Sequence, residues 1–209
     1  VTFGSFNKPE KINDEVISLW SDILHAVPNS KLLLKYFSYY SEPSMQKRWL
    51  AKFAAYGIGE DRLIVKAKSD NRPNHLMLYN DVDIALDPFP FVGCNATFQA
   101  LWMGVPVVTL AGGNFVGRMG TSFLRTLGEP GWVAEDEAGY VAKAAALARD
   151  VVALRGARAQ LRDRMARSPL CDIAEYVKQL EDLYRRMWHF SGVSPPQRLL
   201  AAVPEKVGA

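Results

Sequence analysis

The sequence predicts an α/β domain built on a doubly wound parallel sheet of the Rossmann type. Six short apolar runs recur along the chain, with helical patterns between them. The runs are continuously apolar rather than alternating, as in strands buried on both faces of a parallel sheet. At 209 residues the chain fits one such domain with a short appendage and can bury a substantial core.

Residues 1–6, 31–37, 63–67, 82–86, 105–110 and a short run near 132–134 read as strands. Helical patterns occupy about 13–27, 44–56, 74–79, 96–103, 118–127 and 137–150. The opening VTFGSFN has no basic-then-apolar layout of a leader and reads as a strand, so the chain is expected to be a piece of something longer. Asn13 is placed to cap the first helix, whose buried face is Val16, Ile17, Trp20, Ile23 and Leu24. Pro28 follows the helix end and Asn29 turns the chain into the second strand. Gly57 closes the second helix, and Gly104 closes the one before strand 105–110.

After Asp150 the pattern changes. Residues 151–167 are Arg-rich and helical, ending at Ser168-Pro169. Asp172 then opens a long helix with Tyr176, Leu180, Leu183, Tyr184, Met187 and Trp188 at helical spacing. No strand follows it, so these C-terminal helices are expected to pack outside the sheet, the last against a partner domain. The expected organisation is a Rossmann-like domain over 1–150, a helical extension of the same domain over 151–190 and a loosely ordered tail over 191–209.

Composition excludes several classes. Hydrophobic residues make up 49% and charged residues 22%, ordinary values for a globular protein. A net charge of +3 gives no argument for nucleic acid or a membrane surface. No apolar run approaches the roughly 20 residues a spanning helix needs. Cys94 and Cys171 form no CxxC and have no histidine cluster, which argues against a disulfide framework and a structural zinc, and for a reducing cytoplasmic setting.

Three segments fall just beyond the carboxyl ends of strands, where open α/β sheets bind ligands. The first, Asn7-Lys8-Pro9-Glu10-Lys11, offers two lysines to phosphate oxygens; a solvated loop explains it as well. The second runs from Asp87 to Gly104. Its helix starts near Asn95-Ala96-Thr97, where small residues leave backbone N–H groups free for a pyrophosphate, or where Asn95 or Thr97 simply caps the helix. Gln99, one turn in, reaches a ribose hydroxyl or faces solvent. The third, 111–118, has glycines that permit close backbone approach and Arg118 to answer an anion, but lacks the spacing of a P-loop or a full GxGxxG. His75 stands on the carboxyl side of the third strand, fit to stack on a planar base or to cap its own helix. His25 and His189 read as surface or packing residues. No nucleophile–base arrangement or carboxylate pair stands out.

Taken in order, these segments resemble the second catalytic lobe of the O-GlcNAc transferase family, glycosyltransferase family 41, in a SPINDLY-like bacterial member. The likeness runs from FGSFNKPEKI and LWSDILHAVPNSKLLL through DVDIALDPFPF and ALWMGVPVVTL to SPL and YVKQLEDLYRRMW. It implies the C-terminal half of a GT-B enzyme, preceded by another Rossmann-like lobe and by tetratricopeptide repeats. The resemblance implies that the C-terminal lobe holds the UDP-sugar and that the preceding one supplies most acceptor-side and catalytic groups. The resemblance assigns Lys11 to the essential lysine that steadies the departing UDP, Lys8 to a phosphate contact and His75 to the uridine. It places Arg72 in the uracil-contacting stretch and Cys94, Asn95, Ala96 and Thr97 at the phosphates. Gln99 stands where an aspartate normally binds the ribose, and Cys94-Asn95-Ala96 replaces His-Thr-Thr. No cofactor or metal is implied. The implied reaction is inverting transfer of a sugar, GlcNAc first, from UDP to protein Ser or Thr. A UDP-glucose-dependent N-glucosyltransferase lobe and a non-catalytic nucleotide-binding domain are the alternatives.

Overall fold

Six strands, Thr2–Ser5 (β1), Lys31–Lys35 (β2), Leu63–Lys66 (β3), Ile84–Leu86 (β4), Val107–Leu110 (β5) and Val133–Ala134 (β6), form one sheet in the order β3-β2-β1-β4-β5-β6. Every neighbouring pair is parallel. The doubly wound α/β fold is therefore the observed one. The computed structural model describes residues 1–66 and 75–192. Ala67, the Arg72 site assignment and the tail from residue 193 lie outside the described residues.

The strands alternate between two cores, because successive side chains point to opposite faces. Phe3, Leu32, Leu34, Ile84, Leu86, Val108 and Ala134 face one core with helices Asp14–Ala26 (α1), Pro43–Ala54 (α2) and Glu137–Arg149 (α5). Leu33, Ala85, Val107 and Val133 face the other, with Asn95–Trp102 (α3), Met119–Thr126 (α4) and Val151–Arg167 (α6). Burial of both faces is what made the runs continuously apolar.

Helix starts follow the capping residues. Asn13 Oδ1 accepts from the Val16 N–H at 2.8 Å, and Asp136 and Asp150 do the same for α5 and α6. On α1, Trp20 is wholly buried and its indole donates to the Tyr140 hydroxyl of α5 at 3.1 Å. The Tyr140 hydroxyl in turn donates to the Asp87 carbonyl at 2.8 Å, tying both helices to the end of β4. Gly104 has φ +73°, and a Cβ there would lie 2.8 Å from the Arg158 carbonyl oxygen of α6. Only glycine meets both demands.

One expectation shifts. The helix expected at 74–79 is a 3-10 segment, His75–Asp81, whose Leu78 and Tyr79 are buried. A short connector anchored by two side chains tightens readily in this way. By contacts the chain divides between Cys171 and Asp172. Helix α6 belongs with the sheet: Leu154, Leu161 and Met165 are buried, and Arg158 donates to the Val82 and Asp83 carbonyls at 2.6 and 2.9 Å. The arginines of this Arg-rich stretch partly serve packing; Arg164 pairs with Glu129. The second unit carries Ile173–Ser191 (α7), capped by Asp172, closed by Gly192 at φ +66° and laced by the Arg185–Glu181 pair.

Candidate functional site

The chain leaves β1 toward β2 on one side, and β4 pairs on the other, so the sheet's switch point lies between β1 and β4. A cavity of about 740 Å³ opens at the carboxyl ends of these strands. It brings together Lys8, Lys11, His75, Cys94, Asn95, Ala96 and Gln99, seven of the residues singled out from sequence. Phe6, Asn7, Lys35, Tyr36 and Phe37 complete its wall. Among the described residues, lysines are the sole charged side chains of this lining, an electrostatic setting suited to an anion.

Lys11 ends a 3-10 turn, Pro9–Lys11, that carries it under the loop after β4. Its Nζ donates to the Val92 carbonyl at 2.9 Å and lies 3.8 Å from the centroid of the Phe91 ring. Burial lowers its pKa, and the neighbouring Asp87 and Cys94 side chains oppose that fall. Lys8 is more exposed and sits 3.4 Å from Glu10. Such a pair is easily exchanged for a better anion.

Helix α3 presents its N-terminus to the same space. Cys94 holds the N-cap position without a side-chain hydrogen bond, so the first-turn N–H groups of Asn95, Ala96 and Thr97 are not claimed by a cap. Neither Asn95 nor Thr97 is the cap. The Tyr79 hydroxyl donates to the Ala96 carbonyl at 3.0 Å and steadies this turn from behind.

Thr97 departs from its expected role. It is buried at 1% exposure, and its hydroxyl donates to Asp87 Oδ1 at 2.7 Å instead of lining the cavity. A β-branched side chain three positions into a helix start must turn toward the sheet here, because the Asp87 acceptor lies beneath it. The Thr97 side chain thus holds the helix to the sheet.

Asp87 was read from sequence only as the start of a segment, yet it organises the site floor. It is 2% exposed. Desolvation raises its pKa to about 6, against the hydroxyls of Thr97 and Thr109, the Gly93 backbone and the Lys11 charge, all of which lower it. Oδ2 lies beside the Thr109 hydroxyl without a hydrogen bond of good geometry among the described residues. Gly93 is obligatory above it: a Cβ would lie 2.7 Å from Asp87 Oδ1, 3.0 Å from Asn7 Oδ1 and against the Thr97 hydroxyl. The signal in the sequence was an aspartate ending an apolar strand.

His75 and Gln99 meet each other. Nε2 of His75 lies 2.9 Å from Gln99 Oε1, so the ring nitrogen donates to the amide oxygen. The His75 ring centroid is 6.3 Å from that of Phe6 and 6.1 Å from that of Tyr79. This wall is aromatic, as stacking a base requires. The loop 111–118 is not part of the lining. Gly112 N–H donates to the Gly117 carbonyl, Gly117 N–H to Asn114 Oδ1, and Arg118 to the Gly113 carbonyl, so the loop satisfies itself. His25 Nε2 pairs with the Tyr56 carbonyl at 2.9 Å, the packing role expected of it. Among the described residues no three His, Cys, Asp or Glu side chains group to hold a metal ion, and no helix is long and apolar enough to cross a membrane.

Comparison with known proteins bears on this geometry. The family model for glycosyl transferase family 41 matches residues 1–180. The chain is 39% identical over 188 residues to the probable UDP-N-acetylglucosamine--peptide N-acetylglucosaminyltransferase SPINDLY of Solanum lycopersicum, covering 90% of this chain and 20% of that protein. It is 31% identical over 191 residues to the UDP-N-acetylglucosamine--peptide N-acetylglucosaminyltransferase of Caenorhabditis elegans, covering 90% of this chain and 16% of that one. Among solved structures, a mutant of the Thermobaculum terrenum O-GlcNAc transferase superposes with a TM-score of 0.83 at 37% identity, over 90% of this chain and 36% of the other. The chain thus spans about a fifth of the length of the curated relatives it matches.

Proposed function

Because the chain belongs to glycosyltransferase family 41, we propose that it is the donor-binding lobe of an inverting protein glycosyltransferase. It holds a UDP-sugar, GlcNAc being the sugar in its relatives' names, for transfer to Ser or Thr of a protein acceptor. The observation that carries this is the convergence of Lys8, Lys11 and the uncapped α3 N-terminus on one cavity, with His75 on its aromatic wall. A diphosphate fits the cationic part and a base the aromatic part.

Transfer puts growing negative charge on the departing diphosphate. Lys11 is fixed by the Val92 carbonyl and the Phe91 ring, so its ammonium is positioned before the charge appears. The first-turn N–H groups of α3 add donors that need no reorganisation. These protein groups suffice for the charge, and we place no metal or other cofactor in the reaction. The acceptor and the remaining catalytic groups belong to a preceding Rossmann-like lobe, with tetratricopeptide repeats before it, in the intact protein. Cys94 and Cys171 are free thiols, which suits a cytoplasmic setting.

The test is titration calorimetry of the chain with UDP in the presence of EDTA. Affinity in the micromolar to millimolar range is expected, about −4 to −8 kcal/mol. Binding that appears only with Mg²⁺ overturns the metal-free reading, and no binding in either condition overturns the site.

A further inference from the structure

Lys35 is the last residue of β2, and it is 5% exposed. Buried lysines are almost always paired. The Lys35 ammonium has no hydrogen bond or ion pair among the described residues; the centroid of the Phe37 ring lies 6.0 Å from Nζ. It nevertheless lines the donor cavity. Desolvation by burial holds its pKa below the ordinary lysine value. Its ammonium stands on the cavity wall with no carboxylate among the described residues to neutralise it, and the cavity is where an acceptor can come from.

Its position in the sheet says which part of a nucleotide it meets. Ser5 of β1 is in register with Leu34, so Lys35 stands alongside Phe6. Strands lie about 4.8 Å apart. Along the carboxyl edge, α3 follows β4, Lys8 and Lys11 follow β1, Lys35 ends β2 and His75 comes after β3. A diphosphate seated between Lys11 and the α3 N-terminus occupies the β1–β4 side. The nucleoside must then extend toward β2 and β3, where Phe6, Tyr36, Phe37 and His75 form the aromatic lining.

We propose that Lys35 reads the nucleobase of the donor, donating to the exocyclic oxygen at position 4 of a pyrimidine or position 6 of a purine. Uracil and guanine carry an oxygen acceptor there, whereas cytosine and adenine carry an amino donor that would face the ammonium donor to donor. A donor left unpaired in a desolvated site is what gives such discrimination its size. The inference rests on the cavity being a nucleotide site and adds the residue that selects the base.

The experiment measures UDP, GDP, CDP and ADP binding to the 209-residue chain by calorimetry, for wild type, Lys35→Met and Lys35→Gln. Thermal melting confirms that each variant folds. Wild type is expected to bind the better of UDP and GDP at least about 10-fold tighter than CDP and ADP. Both variants should bring that ratio below about 3, chiefly by losing affinity for the oxo-bases. A variant that weakens all four nucleotides equally assigns Lys35 to the diphosphate and overturns base reading, as does a folded variant with unchanged ratios. Loss of a single variant to misfolding leaves the other to decide, and misfolding of both makes Lys35 structural and overturns the proposal. If wild type binds none of the four, the nucleotide-site reading itself fails, an outcome distinct from unchanged ratios.

Discussion

Asp87→Asn is the sharpest perturbation of the site floor. The Asp87 carboxyl is fully desolvated, and its pKa rises from the ordinary 3.8 to about 6 in the fold. It therefore holds its proton more tightly folded than unfolded. The stability this contributes is complete below about pH 3.8 and is lost as pH rises through about 6, roughly 3 kcal/mol in all at ~1.4 kcal/mol per pH unit. About 1.4 kcal/mol of that loss falls between pH 5 and pH 8. Asparagine has no proton to lose, keeps an oxygen for the Thr97 hydroxyl and Gly93 backbone, and nearly preserves the shape. Urea denaturation of both proteins at pH 5 and pH 8 isolates the effect, since all other titrations cancel in the difference. The variant should gain about 1.4 kcal/mol on wild type as pH rises, whatever its offset at pH 5. A difference that stays constant within error would show that Asp87 ionises as freely in the fold as outside it, and the account of a desolvated floor would be wrong.

Lys11→Ala in the intact enzyme should lower kcat by about 10²–10³ while changing the melting temperature little, because the ammonium meets charge that develops only as UDP leaves. Steady-state kinetics beside a thermal melt decide it; unchanged turnover with a lower melting point would assign Lys11 to structure. Gly93→Ala should cost about 1–3 kcal/mol of stability and weaken UDP, because its Cβ would press on Asp87, Asn7 and Thr97. An equally stable variant that binds as well would refute the tight loop. Gln99→Asp should shift both UDP and uridine affinity by more than about 0.5 kcal/mol, since the shorter side chain releases His75 and adds a negative charge beside the diphosphate. If neither affinity moves, Gln99 is not in the site.

The sequence by itself determined the layers and the edge of the sheet where the cavity lies. Burial on both faces forces continuously apolar strands, and caps such as Asn13 and glycines such as Gly104 mark where helices begin and end. Once the strands are placed, their carboxyl ends are placed too, which is why Lys8, Lys11, His75, the Cys94–Ala96 turn and Gln99 were legible and share one cavity. What only the tertiary structure decided is which way side chains turn there and which strand ends stand side by side. Thr97 turns inward because a buried carboxylate ten residues earlier lies beneath it, and Gln99 meets a histidine 24 residues away. Arg118 closes on its own loop rather than on an anion. Lys35 and Phe37 join the wall because β2 lies next to β1, a neighbour relation set by the order of strands across the sheet and not by anything local to KLLLKYF. Local sequence fixes periodicity and backbone direction; adjacency across a sheet is a property of the whole chain's packing, and the cavity wall is built from adjacency.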